Sequence, residues 1–109
     1  MLEIIHNGYV IAIGENREEN DKLVRAADPN DWWAHIRYFP SAHAVIRNPS
    51  GKRIPRAVIK RACCVIKSRS NQCKSVKGLE FDVTRIQNVT PTDTPGLVTL
   101  KGQPTLVTI

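Results

Sequence analysis

Leu2-Glu3-Ile4-Ile5-His6-Asn7-Gly8-Tyr9-Val10-Ile11-Ala12-Ile13 is the stretch that decides the fold. Two apolar runs, Leu2 to His6 and Tyr9 to Ile13, flank Asn7-Gly8. Asn-Gly readily adopts the positive φ angles of a two-residue hairpin turn. The chain therefore opens on an antiparallel β-hairpin, and Gly14 ends it. Downstream, short strands and two helical segments are set between antiparallel pairs. This predicts an α+β fold, one compact domain over residues 1–109 with a mostly antiparallel sheet and two helices, rather than a doubly wound parallel sheet. A length of 109 residues is near the usual single-domain size.

After the hairpin, Asn16 precedes Arg17-Glu18-Glu19, a helix start in which the Asn16 side chain caps free N–H groups and Glu19 reaches back. The helix should run from about Arg17 to Ala27, with Leu23, Val24 and Ala27 inward, and Pro29 stops it. Asp31 to Arg37 and Ala42 to Arg47 read as strands joined by the turn Phe39-Pro40-Ser41. Asn48-Pro49-Ser50-Gly51 is a second turn. A second helix spans about Pro55 to Ser68, with Pro55 in its first turn. Ser68 to Lys77 reads as a polar, basic loop. Leu79, Phe81 and Val83 alternate with Glu80, Asp82 and Thr84, the period of a half-buried strand. Thr90 to Gly96 reads as a loop, and Leu97–Lys101 with Thr105–Ile109 as a final hairpin across Gly102-Gln103.

Charge is gathered in one place. From Arg47 to Lys77 the chain carries ten basic side chains and no acidic one, while the rest carries six basic and ten acidic. In the second helix Val58, Ile59, Ala62, Val65 and Ile66 share one face at about 100° per residue, and Arg56, Lys60 and Lys67 share another. Arg53 lies just upstream. One side of this helix packs and the other meets phosphates, the footprint of a polyanion-binding protein. The phosphate contacts are assigned to Arg53, Arg56, Lys60, Lys67, Arg69, Lys74 and Lys77. The plainer reading is a solvated basic face.

Trp32 and Trp33 point to opposite faces of their strand. One of the two is therefore core. Trp32, if it is the outer one, is either a stacking platform for a base or a cover for the sheet edge. His35 and His43 fall on adjacent strands, with roles open between hydrogen bonds to a nucleic acid and structural hydrogen bonds. Together Trp32, His35 and His43 are expected to form a contact face. A general acid–base site of Asp31, His35 and His43, as in a small hydrolase or nuclease, is a third reading. No nucleophile elbow, Gly-rich phosphate loop or metal-ligand spacing accompanies it. The expectation is a non-enzyme with no cofactor and no metal.

The three cysteines include no C-x-x-C pair and are read as small apolar fillers in a reducing compartment. No run of about 18 apolar residues could span a membrane. The N-terminus has no signal-peptide pattern. An intracellular, cytoplasmic protein is the expectation.

An ordered series of short segments then resembles a known family, the RNA-binding domain of the NFACT proteins, NFACT-R. The segments are Ile13-Gly14-Glu15-Asn16, Glu19-Asn20-Asp21-Lys22-Leu23, Pro29-Asn30-Asp31 with Trp33 and His35, and Ser41-Ala42-His43-Ala44-Val45-Ile46-Arg47. Ile54-Pro55, Ala62, Ser70, Thr84, Asn88-Val89 and Pro95-Gly96-Leu97-Val98 follow in order. Ser41-Ala42 stands for the usual Gly-Ser, as in short eukaryotic coiled-coil members. Ala34 and Val83 stand where aromatics are common. The resemblance implies that Trp33 is the core tryptophan. It also implies RNA binding, and the family's large members act in ribosome-associated quality control on the large subunit. Without their N-terminal domain and coiled coil, this chain alone is not expected to recruit tRNA to build C-terminal tails. A stand-alone module and an excised domain both remain open.

The expected function is a non-catalytic module recognising structured RNA, tRNA or rRNA, with the ribosome as a candidate partner. The resemblance to the coiled-coil members keeps DNA open as a ligand. The alternative is a protein-interaction module docking on an acidic partner.

Overall fold

The computed structural model describes residues 1–109. In chain order the elements are β1 (Leu2–His6), β2 (Tyr9–Ile13), α1 (Arg17–Ala26), β3 (Trp32–Ile36), β4 (Ala44–Ile46), α2 (Arg56–Ser68) and β5 (Glu80–Arg85). A 3-10 turn (Ile86–Asn88), β6 (Val89–Pro91), β7 (Val98–Leu100) and β8 (Thr105–Thr108) complete the chain. Six strands form one sheet in the order β1-β2-β4-β3-β5-β8, all pairs antiparallel. β6 and β7 form a separate two-stranded ribbon.

The opening hairpin folds as its sequence dictates. Asn7 and Gly8 take φ of 50° and 80°, and His6 pairs with Tyr9. Asn16 caps α1, its side chain accepting from the Glu19 N–H at 2.9 Å. Glu19 reaches back one residue further than a standard capping box, to the Glu15 N–H at 3.0 Å. Pro55 is the residue before α2 rather than inside its first turn.

Strand alternation sorts the core into two layers. Ile11, Ile13, Ala34, Ile36, Ala44, Ile46, Phe81 and Val83 face α2, meeting its buried Val58, Ala62, Val65 and Ile66. Ala12, Trp33 and Val45 face the other way, onto Leu23 and Val24 of α1 and Val89 of the ribbon. The sheet is thus covered on one side by α2 and on the other by α1 with β6 and β7. Cys63 and Cys73 are buried fillers, and burial pushes the Cys63 thiol up to about 12, with Cys64 adding to the shift. Cys64, by contrast, is exposed.

The end of the chain differs from its sequence reading. Leu97–Lys101 and Thr105–Ile109 do not pair with each other. β7 pairs with β6, drawing part of the expected Thr90–Gly96 loop into a strand, while β8 crosses to pair with β5. Pro104 lacks an N–H at the start of β8, and Val107 secures the strand to the α2-side core.

Candidate nucleic-acid interface

The outer surface of α2 carries the charge. Arg56 and Lys60 stand one turn apart, both exposed, with Arg53 exposed just before the helix. Beyond its end the chain turns through Asn71–Ser75, pinned by buried Cys73, and this leaves Lys74 and Lys77 exposed. Of the ten basic side chains between Arg47 and Lys77, Arg69 alone forms an ion pair, 3.5 Å from Glu15 Oε2. Lys67 is half-buried and donates to the main-chain oxygen of Ile109 at 3.0 Å. Arg53, Arg56, Lys60, Lys74 and Lys77 are therefore the unengaged cations of the proposed set.

Trp32 lies on this same side of the sheet. It is half-buried against the α2-side core, with the Arg85 guanidinium 5.4 Å from its ring centroid. It shares a groove of about 190 Å³ with Arg53 and Arg56. Its indole N–H is buried with no acceptor.

His35 and His43 lie on the opposite side, so the expected common face of Trp32, His35 and His43 does not exist. The cause is the two-residue period of β3: Trp33 and His35 share the face that Trp32 turns away from. On that side the rings form one cluster. Trp33 Nε1 donates to His43 Nδ1 at 3.1 Å. An indole nitrogen only donates, so neutral His43 carries its proton on Nε2. Trp33 and His35 stack at 5.7 Å with 7° between planes, and His35 meets His43 edge-on at 4.8 Å. Burial lowers His35 to about 4. Burial, and then the neighbouring His35, lowers His43 to about 3. Both rings are uncharged at neutral pH.

Residues left open or unremarked in the sequence complete this cluster. Asn20, buried on α1, accepts the His43 N–H through Oδ1 at 3.1 Å. Gly14 makes room for it, since a Cβ there would sit 2.0 Å from Asn20 Oδ1. The Asn20–His43 spacing carries no local periodic signal; only its place in the family series marked it. Together with the β3–β4 turn and the Pro95–Val98 segment these residues surround a cavity of about 570 Å³. A second groove of about 340 Å³ is lined by Gly14, Glu15, Ala42, Ser68, Arg69 and Asn71, and Ala42 lies between Ser41 and His43 of the first.

Asp31 belongs to neither site. Its Oδ1 accepts the Asn48 N–H at 2.7 Å and its Oδ2 the Asp28 N–H at 3.0 Å. It closes the turn into β3 and does not orient either histidine, which removes the third member of the acid–base reading.

Residues 4–106 match the family model described as the NFACT protein RNA binding domain. The Rqc2 homolog RqcH of Bacillus subtilis is 30% identical over 105 residues, which cover 92% of this chain and 17% of RqcH. Mouse coiled-coil domain-containing protein 25 is 33% identical over 70 residues, 61% of this chain and 34% of that protein. Its Dictyostelium discoideum homolog is 30% identical over 77 residues, 67% of this chain and 37% of that protein. The chain thus spans little more than a third of these relatives at most. The C-terminal part of the fibronectin/fibrinogen-binding protein from Streptococcus suis superposes with a TM-score of 0.84 over 98% of this chain and 43% of that one. At 22% identity, that likeness is one of fold.

Proposed function

Since the chain belongs to the family of NFACT protein RNA binding domains, we propose that it holds structured RNA, tRNA or rRNA, by the phosphates along the outer face of α2 and the loop after it. One observation carries the reading: Arg53, Arg56, Lys60, Lys74 and Lys77 are exposed along one continuous segment and none is in an ion pair. Unpaired cations on a rigid helix meet a phosphate backbone without first breaking an internal contact. Such contacts supply affinity but carry no sequence information. The expected recognition is by charge and shape, as for helical RNA whose deep groove side chains cannot read. The likeness to RqcH supports a setting in ribosome-associated quality control, with the ribosome as partner. No catalytic step is part of this reading.

Fluorescence anisotropy of labelled tRNA, beside a DNA duplex of matched length, tests it. The double variant Arg56→Glu, Lys60→Glu should weaken tRNA binding more than tenfold, about 1.4 kcal/mol. Unchanged tRNA affinity in that variant refutes the α2 surface as the site. Equal binding of the two polymers by the unaltered protein refutes a preference for RNA.

A further inference from the structure

Electrostatics does not account for Tyr38, in the turn between β3 and β4. Its φ is 59°, the left-handed region in which a bulky residue is an outlier. Its side chain nevertheless packs into no core, being 87% exposed. Strain held at a position that contributes nothing to packing points toward function. The ring is also not free to swing. The Arg37 guanidinium lies 4.6 Å over it and Arg37 Nη2 donates to Tyr38 Oη at 2.7 Å. Arg37 is itself anchored to Asp82 Oδ1 at 3.1 Å. An exposed aromatic ring is thereby fixed at the mouth of the 570 Å³ cavity.

The floor of that cavity is aromatic and uncharged, while Arg17 and Asp82 also line it. Trp33 and the two histidines form its floor, and Leu97, 58% exposed, stands on the side formed by the Pro95–Val98 segment. A neutral imidazole offers one donor and one acceptor. With Oδ1 engaged by His43, the Asn20 amide nitrogen remains as a donor. These groups suit the edge of a nucleobase and not a phosphate, and the volume is that of a small-molecule pocket. The groove past Arg69 starts at the end of α2 and includes Ala42, whose chain neighbours Ser41 and His43 line this cavity.

We propose that this cavity receives one unstacked base of the bound RNA, which stacks on Tyr38 and meets His35 and Asn20 with its edge. The inference rests on the RNA reading above and adds to it a site for an unpaired nucleotide. Stacking of this kind does not depend on base identity, whereas the edge contacts favour some bases over others.

Two RNA hairpins test it, identical except that one carries a short single-stranded 3′ tail, each titrated by anisotropy. The unaltered protein should prefer the tailed hairpin by about tenfold, the scale of one base–aromatic stack. Tyr38→Gly, which relieves the left-handed strain and so keeps the fold, should abolish that preference and leave affinity for the blunt hairpin unchanged. Tyr38→Phe should retain the preference. Arg56→Glu should weaken both hairpins and keep their ratio. Equal binding of the two hairpins by the unaltered protein overturns the pocket while leaving the RNA reading intact. A full preference surviving in Tyr38→Gly also overturns it. Binding of neither hairpin overturns the RNA reading and this inference with it.

Discussion

His43 satisfies two neighbours at once, accepting the Trp33 indole N–H on Nδ1 and donating its own backbone N–H to Asn20. Protonating it would replace an acceptor with a donor facing a donor. Folded-state values of about 3 for His43 and about 4 for His35, both below the ordinary 6.5, mean that the unfolded chain binds more protons below pH 6.5. Stability from these rings is full above that pH and is lost as pH falls toward the folded values. Each contributes a slope of up to about 1.4 kcal/mol per pH unit in that window. His43→Asn keeps an acceptor for Trp33 but cannot titrate, so urea unfolding followed across the window should give about half the slope. An unaltered slope would contradict the assignment. Gly14 gives a second test at the same scale. Gly14→Ala drives a Cβ into the anchored Asn20 side chain and should cost about 2 kcal/mol. Asn20→Ala alone leaves the buried His43 N–H unpartnered, at about 1–3 kcal/mol. In the double variant the clash with Oδ1 is gone, so thermal unfolding should show a combined loss smaller than the sum.

At the scale of elements, α2 sets charge against its own stability. Its first turn has no acidic residue and no side-chain cap, and Arg56 begins it. Cations near a helix N-terminus oppose the macrodipole. Arg56→Glu should therefore stabilise the fold by roughly 0.5 kcal/mol in chemical denaturation while weakening RNA binding. A helix shaped only for solubility would show the first effect without the second. The inward and outward faces of α2 were legible in the sequence because thirteen residues give more than three turns of period. The opening hairpin was legible because Asn-Gly fixes its turn. The partners of β7 and β8 were not. Strands of three and four residues carry too little alternation to name a partner, and the local turn signal at Gly102-Gln103 competed with distant pairing to β5 that no neighbouring residue encodes. The same limit governs the pocket. The nearness of His35 and His43 on adjacent strands was legible, but Asn20 joins His43 across 23 positions, and Tyr38 is distinguished only by a backbone angle.

Over the whole molecule, the two proposed binding elements lie on opposite faces of one sheet and respond to different forces. Phosphates held by α2 displace counterions, so RNA affinity should fall with salt along a line in logarithms. Five unengaged cations give a slope of roughly −4 for helical RNA if all are used. Reversing Arg56 and Lys60 to Glu should make that line shallower by about two. The cavity under Tyr38 has a floor of uncharged rings, and its lining charges Arg17 and Asp82 are already paired with Glu18 and Arg37, so a base entering it displaces no counterion. Tyr38→Gly should therefore lower affinity for the tailed hairpin at every salt concentration by the same factor, leaving its slope unchanged. Arg69 falls between these cases. Its guanidinium already faces Glu15, so Arg69→Ala removes less net attraction than Lys60→Ala and should change the slope less. Titrations over a range of salt separate the three variants by slope and intercept. A Tyr38→Gly line that flattens as much as the Arg56, Lys60 line would mean that the turn acts through charge, by releasing Arg37 from its ring, and not by stacking.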